Sequence, residues 1–156
     1  MSILTRVIVV YESKYGNTKR VAETIIEGMG ESEGIETVLS ELKKIDIEKI
    51  LDYDVILIGS PNHWGGPTRG VKKFIDKLGK LSIKEKLYAV FDTYLGKDFE
   101  KAVKKMEKRI DERVPGLKQI APGLSIRVQG MKGPILEVEL PKCREFGSRI
   151  ASQIKT

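Results

Sequence analysis

VIVVYESKYGNTKRVAE, residues 7–23, is the stretch that decides the fold of this chain. Its first four residues are all apolar and β-branched, which is typical of a strand buried on both faces in a parallel sheet. After Thr18, apolar residues recur at helical spacing and predict a helix with one face in the core. These apolar residues are Val21, Ala22, Ile25, Ile26 and Met29. The change from strand to helix therefore falls between Glu12 and Thr18.

The connecting loop carries residue types that can hold a phosphate group. The first turn of a helix has unpaired backbone N–H groups and a partial positive charge, and both stabilise an anion. Ser13, Asn17 and Thr18 can add side-chain donors, and Gly16 lets the backbone bend tightly because it has no Cβ. Neither G-x-x-x-x-G-K-[ST] nor G-x-G-x-x-G is present, so the usual ATP, GTP and dinucleotide sites lose support. From this loop alone, an ordinary strand-to-helix connection remains the alternative.

Five strand-like runs alternate with five helix-like stretches along the 156 residues. The predicted strands are residues 7–11, 36–40, 55–59, 87–91 and 124–129, and the predicted helices are residues 18–29, 46–51, 70–78, 98–113 and 141–154. This alternation predicts a single α/β domain over residues 1–156, with a doubly wound, five-stranded parallel sheet and helices on both faces. The usual strand order of such a sheet is 2-1-3-4-5. In the fourth helix, the predicted core stripe is Phe99, Val103, Met106 and Ile110.

That strand order predicts where a ligand binds. It reverses between strands 1 and 3, and ligands bind outside the carboxyl ends of the strands at such a point. The loops after strands 1, 3 and 4 should therefore converge. The loop after strand 3 contains the only histidine and the only tryptophan, His63 and Trp64, and the loop after strand 4 contains Tyr94. Two aromatic rings beside a phosphate site predict a ligand with a flat apolar ring and a phosphate.

These three loops resemble, in the same order, the cofactor loops of the flavodoxin family. The resemblance extends over essentially the whole chain and implies noncovalently bound FMN, with neither a catalytic residue nor a metal. The cofactor-binding residues that it implies are Ser13, Lys14, Tyr15, Gly16, Asn17 and Thr18 in the first loop, Pro61, Asn62, His63, Trp64 and Gly65 in the second, and Asp92, Thr93, Tyr94 and Gly96 in the third.

The resemblance also implies a role for each loop. The first binds the FMN phosphate, and Tyr15 replaces a residue that is often Ser or Thr in the family. Trp64 is expected against the inner face of the isoalloxazine ring and Tyr94 over its outer face, while the backbone beside Gly65 meets flavin N5 and favours the neutral semiquinone. Asp92 near N1 would disfavour the anionic hydroquinone. The long insertion that some members carry in strand 5 is not evident in residues 124–129, which indicates a short-chain form.

The net charge of +6 predicts the chemistry of a partner. Residues 69–86 contain seven basic and two acidic side chains, so much of the surplus lies there. The basic residues are Arg69, Lys72, Lys73, Lys77, Lys80, Lys84 and Lys86. We expect acidic redox proteins, such as a ferredoxin-like protein or an oxidoreductase, to dock near this segment. A solvated lysine-rich helix face is the alternative, and the lack of interleaved aromatic residues argues against nucleic acid.

The expected function is that of an electron carrier which moves single electrons between redox proteins and has no organic substrate of its own. The alternative is an enzyme on the same fold, either an FMN-dependent NAD(P)H:quinone reductase or a porphyrinogen-type oxidase. Tyr15 and Pro61 support this alternative because such enzymes have Ser-x-Tyr-Gly in the first loop and Pro-x-x-x-Gly in the second. A regulatory domain that has lost its flavin is a third possibility.

Other patterns in the sequence are weaker. Residues 143–149 satisfy the C-x5-R pattern of cysteine-dependent phosphatases, but Cys143 falls early in the last predicted helix, on an apolar face with Phe146 and Ile150. One histidine and one cysteine provide no cluster for a metal. The single cysteine, the absence of an apolar run near the roughly 20 residues of a membrane span, and the lack of a secretory signal in residues 1–6 predict a cytoplasmic protein.

Overall fold

The computed structural model describes residues 4–30 and 32–155 and has a parallel β-sheet at its centre. Its strands are β1 (Thr5–Tyr11), β2 (Ile35–Glu41), β3 (Val55–Pro61), β4 (Lys86–Tyr94), β5 (Leu117–Gln119) and β6 (Leu124–Arg127). Its helices are α1 (Asn17–Met29), α2 (Arg69–Leu78), α3 (Lys101–Arg113) and α4 (Leu140–Lys155), with 3-10 turns at Leu42–Lys44, Ile47–Asp52 and Glu137–Glu139. Residues 1–3 and 156, the ends of the predicted domain, lie outside the described residues. So does the first half of residues 1–6, which were predicted to carry no secretory signal.

The strand order is β2-β1-β3-β4-β5, with β6 also paired to β4, and every pairing between these strands is parallel. The predicted fold class and strand order are therefore confirmed. Side chains alternate between the two faces of the sheet. In β1, Ile8 and Val10 pack with the core residues of α2 and α3, whereas Val7 and Val9 pack with those of α1 and α4. Each strand in the middle of the sheet is thus apolar on both faces, which explains its uninterrupted apolar sequence.

The fifth strand position differs from the prediction because two segments share it. β5 pairs with the start of β4 and β6 with its end, and residues 120–123 separate them. The sequence reason is Pro122, which has no N–H group to donate to a sheet ladder. A Cβ added to the neighbouring Gly123 would collide with the Val103 side chain on α3, so the backbone approaches the helix closely here. The strand predicted at residues 124–129 is present as β6, whereas β5 is an additional short strand that the sequence did not predict.

The start of the fourth helix was also predicted wrongly. α3 begins at Lys101 rather than at residue 98, because Glu100 adopts a left-handed conformation with φ of +61°. The backbone N–H of Glu100 donates to Ser125 Oγ at 2.9 Å. Phe99 consequently lies outside the helix and is 55% exposed, although it was expected in the core stripe. The rest of that stripe, Val103, Met106 and Ile110, is buried as predicted.

α1 and α4 pack closely on the same face of the sheet. A Cβ added to Gly147 on α4 would collide with the backbone carbonyl of Ile25, and one added to Gly28 on α1 would collide with the backbone carbonyl of Arg144. Glycine at both positions therefore lets the two helix backbones approach each other. Among the residues that the structure describes, no helix is both long and apolar enough to cross a bilayer.

Candidate functional site

A cavity of about 480 Å³ lies at the carboxyl ends of β1, β3 and β4. This volume falls within the usual range for small-molecule sites. The three predicted loops all contribute to its wall, through Ser13, Lys14, Tyr15, Asn17, Thr18, Pro61, Asn62, His63, Trp64, Thr93 and Tyr94. The structure therefore brings together most of the residues that the sequence singled out, at the edge of the sheet where the strand order reverses.

The first loop ends in a helix start that can receive an anion. Gly16 precedes α1 with φ of +91°, a left-handed conformation that favours glycine. No side chain in the described part of the chain caps α1, and no acidic residue lies in its first turn, so first-turn N–H groups are available to a ligand. Ser13 acts within the loop, since its Oγ accepts a hydrogen bond from the Gly16 N–H at 3.0 Å. A phosphate group fits this loop without displacing a protein carboxylate.

Hydrogen bonds beneath the cavity join the three loops. The hydroxyls of Thr18 and Thr93 are 3.1 Å apart and buried, which connects the first loop to the third. The backbone N–H and the Nδ2 of Asn62 both donate to the carbonyl of Thr93, at 3.1 and 3.0 Å, which connects the second loop to the third. Asn62 Oδ1 is buried and has no partner among the described residues. Since buried acceptors are rarely left unpaired, this oxygen suits a ligand that carries ring N–H groups.

The second loop forms a tight turn that presents Trp64. His63 and Gly66 exchange two backbone hydrogen bonds, of 2.7 and 3.1 Å. Between them, Trp64 and Gly65 have φ of +54° and +71°, which is the pattern of a two-residue hairpin turn with both central residues left-handed. Such a conformation is uncommon for tryptophan and is typical of functional sites. The Trp64 side chain is fully exposed, so its ring is available to stack on a ligand.

The third loop places one aromatic ring at the cavity. Tyr94 lies on the cavity wall, and the ring of Phe99 meets it edge to face, with centroids 5.3 Å apart. Phe99 thus supports Tyr94 instead of joining the core stripe of α3. Tyr94 therefore lines the cavity, and its expected position over a bound ring stays a prediction.

Asp92 lies on the opposite face of β4 from Thr93 and is fully buried. Its Oδ1 accepts from Ser125 Oγ at 2.6 Å, and its Oδ2 accepts from the Val103 N–H at 3.0 Å. Burial raises the pKa of this carboxyl to about 6. Its side chain is hydrogen-bonded towards α3 and β6 and is not part of the described cavity wall, because neighbouring residues in a strand point to opposite faces. Its predicted position near the ring stays a prediction.

Three predicted glycines contribute backbone shape to the site. Gly16, Gly65 and Gly96 all have positive φ, of +91°, +71° and +58°, and they turn the three loops without lining the described cavity wall. These conformations are the ones in which a side chain would be strained. The identity of these residues therefore supports the loop geometry, while the neighbouring side chains line the cavity.

The cavity has a fourth side that the sequence interpretation missed. Leu95 and Asp98 extend the third loop, and Val128 and Met131 come from the loop after β6. That fourth loop also leaves the carboxyl edge of the sheet, so the same topological rule could have found it. It lies against the first loop, because a Cβ added to Gly133 would collide with the side chain of Asn17.

Cys143 lies inside α4, away from any loop that could cradle a phosphate. It is fully buried with Phe146 and Ile150, and its thiol donates to the Glu139 carbonyl at 3.6 Å. Burial raises the pKa of the thiol to about 12. A thiol with such a pKa is a poor nucleophile at neutral pH, so the C-x5-R pattern here belongs to the core packing of α4.

Comparisons with known proteins agree with this geometry. A family model described as a flavodoxin domain matches residues 8–127. A flavodoxin from Clostridium saccharobutylicum is 32% identical over 88 residues, which are 56% of this chain and 55% of that protein. The type A flavoprotein fprA from Rhodobacter capsulatus is 30% identical over 151 residues, which are 94% of this chain and 33% of that protein. The chain thus spans about half the length, or less, of these curated relatives.

A solved structure extends the comparison over nearly the whole chain. A flavodoxin from the domain Archaea superposes with a TM-score of 0.82 and 25% sequence identity, covering 97% of this chain and 100% of that one.

Proposed function

Because the chain belongs to the flavodoxin family, we propose that it carries single electrons between redox proteins through FMN. Family membership implies that the FMN is bound noncovalently. The observation that carries the proposal is the convergence of a free helix N-terminus, two aromatic side chains and an unpaired buried acceptor on one cavity. Each feature suits one part of the cofactor: the helix N-terminus suits its phosphate, the aromatic side chains its flat ring, and the unpaired acceptor its ring N–H groups.

The residues of the site divide the binding task among the loops. The first-turn N–H groups of α1, beside Gly16, hold the phosphate. Trp64 and Tyr94 enclose the ring and exclude water from its faces, which contributes on the order of 0.5 to 1.5 kcal/mol for each ring beyond area burial. Asn62 Oδ1 accepts a hydrogen bond from the ring. FMN, when bound, supplies one-electron redox chemistry that no side chain here provides.

An electron carrier needs a cofactor that a partner protein can approach. The exposed side chains of Trp64 and Met131 lie at the mouth of the cavity, so the ring of a bound flavin would lie near the surface. The connections around the cavity are short, and they offer little material for a separate substrate pocket. These two observations favour electron exchange with proteins over reduction of a quinone or oxidation of a porphyrinogen.

The distribution of charge supports an acidic partner. α2 and α3 lie side by side on one face of the sheet and together carry ten basic and four acidic side chains, a net charge of +6. This equals the net charge of the whole chain. We propose that acidic redox proteins dock near residues 69–86, where Lys72, Lys73 and Lys77 are exposed on α2. Charge reversal at these three lysines should slow electron transfer at low salt and have less effect at high salt.

We also propose a cytoplasmic location, since Cys143 is the only cysteine and its thiol is buried in the core. A chain with one cysteine cannot form an intramolecular disulfide, so its stability does not depend on an oxidising compartment. Reporter fusion and cell fractionation would test this directly, and recovery with membranes or in the culture medium would contradict it.

The deciding experiment is an anaerobic titration of the purified protein with a one-electron reductant while absorbance is recorded. We expect a yellow protein that is reduced in two separate one-electron steps. Reduction in a single two-electron step, particularly by NAD(P)H, would favour the reductase alternative. A colourless protein that takes up no added FMN would contradict both functions. Gly16→Val is the matched variant, because it keeps the core while straining the phosphate loop. Relative to wild type, its affinity for FMN should fall more than its affinity for riboflavin, which has no phosphate group.

A further inference from the structure

Two lysines of α3 lie against the glycine turn of the second loop. A Cβ added to Gly65 would lie 3.5 Å from Lys101 Cδ. One added to Gly66 would lie 3.3 Å from Lys105 Cδ and 3.7 Å from Lys105 Nζ. The side chains of both lysines therefore pass over the backbone of the turn, since a Cβ at residue 65 would be in ordinary contact with Lys101 and one at residue 66 in tight contact with Lys105.

The two ammonium groups differ in their surroundings. Lys101 forms an ion pair with Asp98, with 3.3 Å between Lys101 Nζ and Asp98 Oδ1, and Asp98 itself lies on the cavity wall. Lys105 has no carboxylate within ion-pair distance among the described residues. Its positive charge is thus uncompensated locally, whereas that of Lys101 is largely neutralised.

The uncompensated charge lies close to the cavity. Gly66 is hydrogen-bonded to His63 across the turn, and His63 is part of the cavity wall. Paired residues of this kind are about 5 Å apart, so Lys105 Nζ lies within roughly 10 Å of the cavity, which is about one Debye length at 0.1 M salt. At this distance the charge acts on the contents of the cavity without touching them.

We infer that Lys105 raises the reduction potential of the bound cofactor, by stabilising the negative charge that stays on the ring when an electron arrives without a compensating proton. The inference rests on the proposed function. The electron comes from an external reductant such as dithionite, and any proton that follows comes from solvent. A fixed positive charge favours the form that holds the extra electron, and it has less effect on the oxidised ring.

The test compares Lys105→Gln with Lys104→Gln in the FMN-loaded protein. Lys104 is the matched control, since it is exposed on the same helix but does not lie against the turn. We expect Lys105→Gln to weaken the binding of reduced FMN by two- to tenfold relative to oxidised FMN. A tenfold change corresponds to about 59 mV for one electron. The midpoint potential should fall accordingly, by less at 0.5 M salt than at 0.02 M, while Lys105→Arg should leave it near the wild-type value.

Four results would overturn the inference. Equal potentials in Lys105→Gln and Lys104→Gln would mean that the charge at residue 105 has no special position. Equal weakening of oxidised and reduced FMN would mean that Lys105 contributes only to uniform binding. A wild-type chain that binds no FMN would overturn both this inference and the proposed function. Normal FMN binding and two-step reduction with unchanged potentials would remove the inference alone.

Discussion

Replacing Asp92 with asparagine should change how the stability of the protein depends on pH. The carboxyl is fully buried, and it accepts hydrogen bonds from Ser125 Oγ at 2.6 Å and from the Val103 N–H at 3.0 Å. These bonds favour the charged form, as does the Asn62 side chain, but the cost of burial is larger and the nearby Glu100 adds to it. The pKa therefore rises from 3.8 to about 6 in the folded protein.

The direction of the effect follows from that shift. Between pH 4 and pH 6 the folded protein holds a proton at Asp92 more tightly than the unfolded chain does. The free energy of unfolding contributed by this group is therefore largest below pH 4 and falls as the pH rises through about 6. A shift of about two pKa units corresponds to about 3 kcal/mol. Asparagine does not titrate, so wild type should lose about 3 kcal/mol relative to Asp92→Asn over the whole titration, of which about 2 kcal/mol falls between pH 4.5 and pH 7.5.

The assay is urea unfolding of the full chain without added FMN, followed by circular dichroism at intervals from pH 4.5 to 7.5. FMN is omitted because a ligand that binds only the folded state would add its own pH dependence. Asp111→Asn is the control, since Asp111 is an exposed carboxyl on α3. A difference between wild type and Asp92→Asn that is constant with pH would refute the reasoning. So would a difference that shifts in favour of wild type as the pH rises, because it would mean that the carboxyl is stabilised in its charged form.

Three further substitutions, the first with a matched control, test the packing and the site. Gly147→Ala should lower the free energy of unfolding by about 1–3 kcal/mol, because the added Cβ collides with the α1 backbone. Gly30→Ala, where the added Cβ meets only ordinary contacts, should have little effect in the same urea titration. Trp64→Ala should weaken FMN binding by roughly tenfold, measured by flavin fluorescence, through loss of about 1.4 kcal/mol of stacking. Thr18→Val should cost about 1 kcal/mol of stability, since it leaves the Thr93 hydroxyl without its buried partner.

The sequence was sufficient to predict the sheet and three sides of the cavity for a physical reason. Strands in the middle of a parallel sheet are apolar on both faces, so each appears as an apolar run, such as Val7–Val10 within β1, that needs no tertiary information to be recognised. Once the strand order is known, the loops at the carboxyl ends must lie together. The convergence of Thr18, Asn62 and Thr93 is a direct consequence of this topology.

Details that depend on the direction of single side chains were less accessible. Asp92 and Thr93 are neighbours in one loop motif, but they point to opposite faces because β4 continues through both of them. Phe99 has helical spacing from Val103, but the left-handed Glu100 makes α3 begin only at Lys101, so Phe99 is outside the helix. The fourth loop has no periodic pattern at all, so Met131 could be placed at the cavity only by the position of its loop.

Electrostatics illustrates the same limit, with consequences for function. A count of charges along the sequence points to residues 69–86 but does not show which charges are paired. Asp76 of that segment accepts two hydrogen bonds from Arg109, of 2.9 and 2.8 Å, and lies 3.3 Å from Arg113, so it neutralises charge on α3. Lys86 donates to two backbone carbonyls, so its charge is also engaged in the fold. The lysine beside the second loop comes instead from α3, about 40 residues further along the chain. Tertiary pairing therefore decides which charges remain free to act. For this chain it leaves Lys105 next to the cavity, where a positive charge acts on an electron as it arrives.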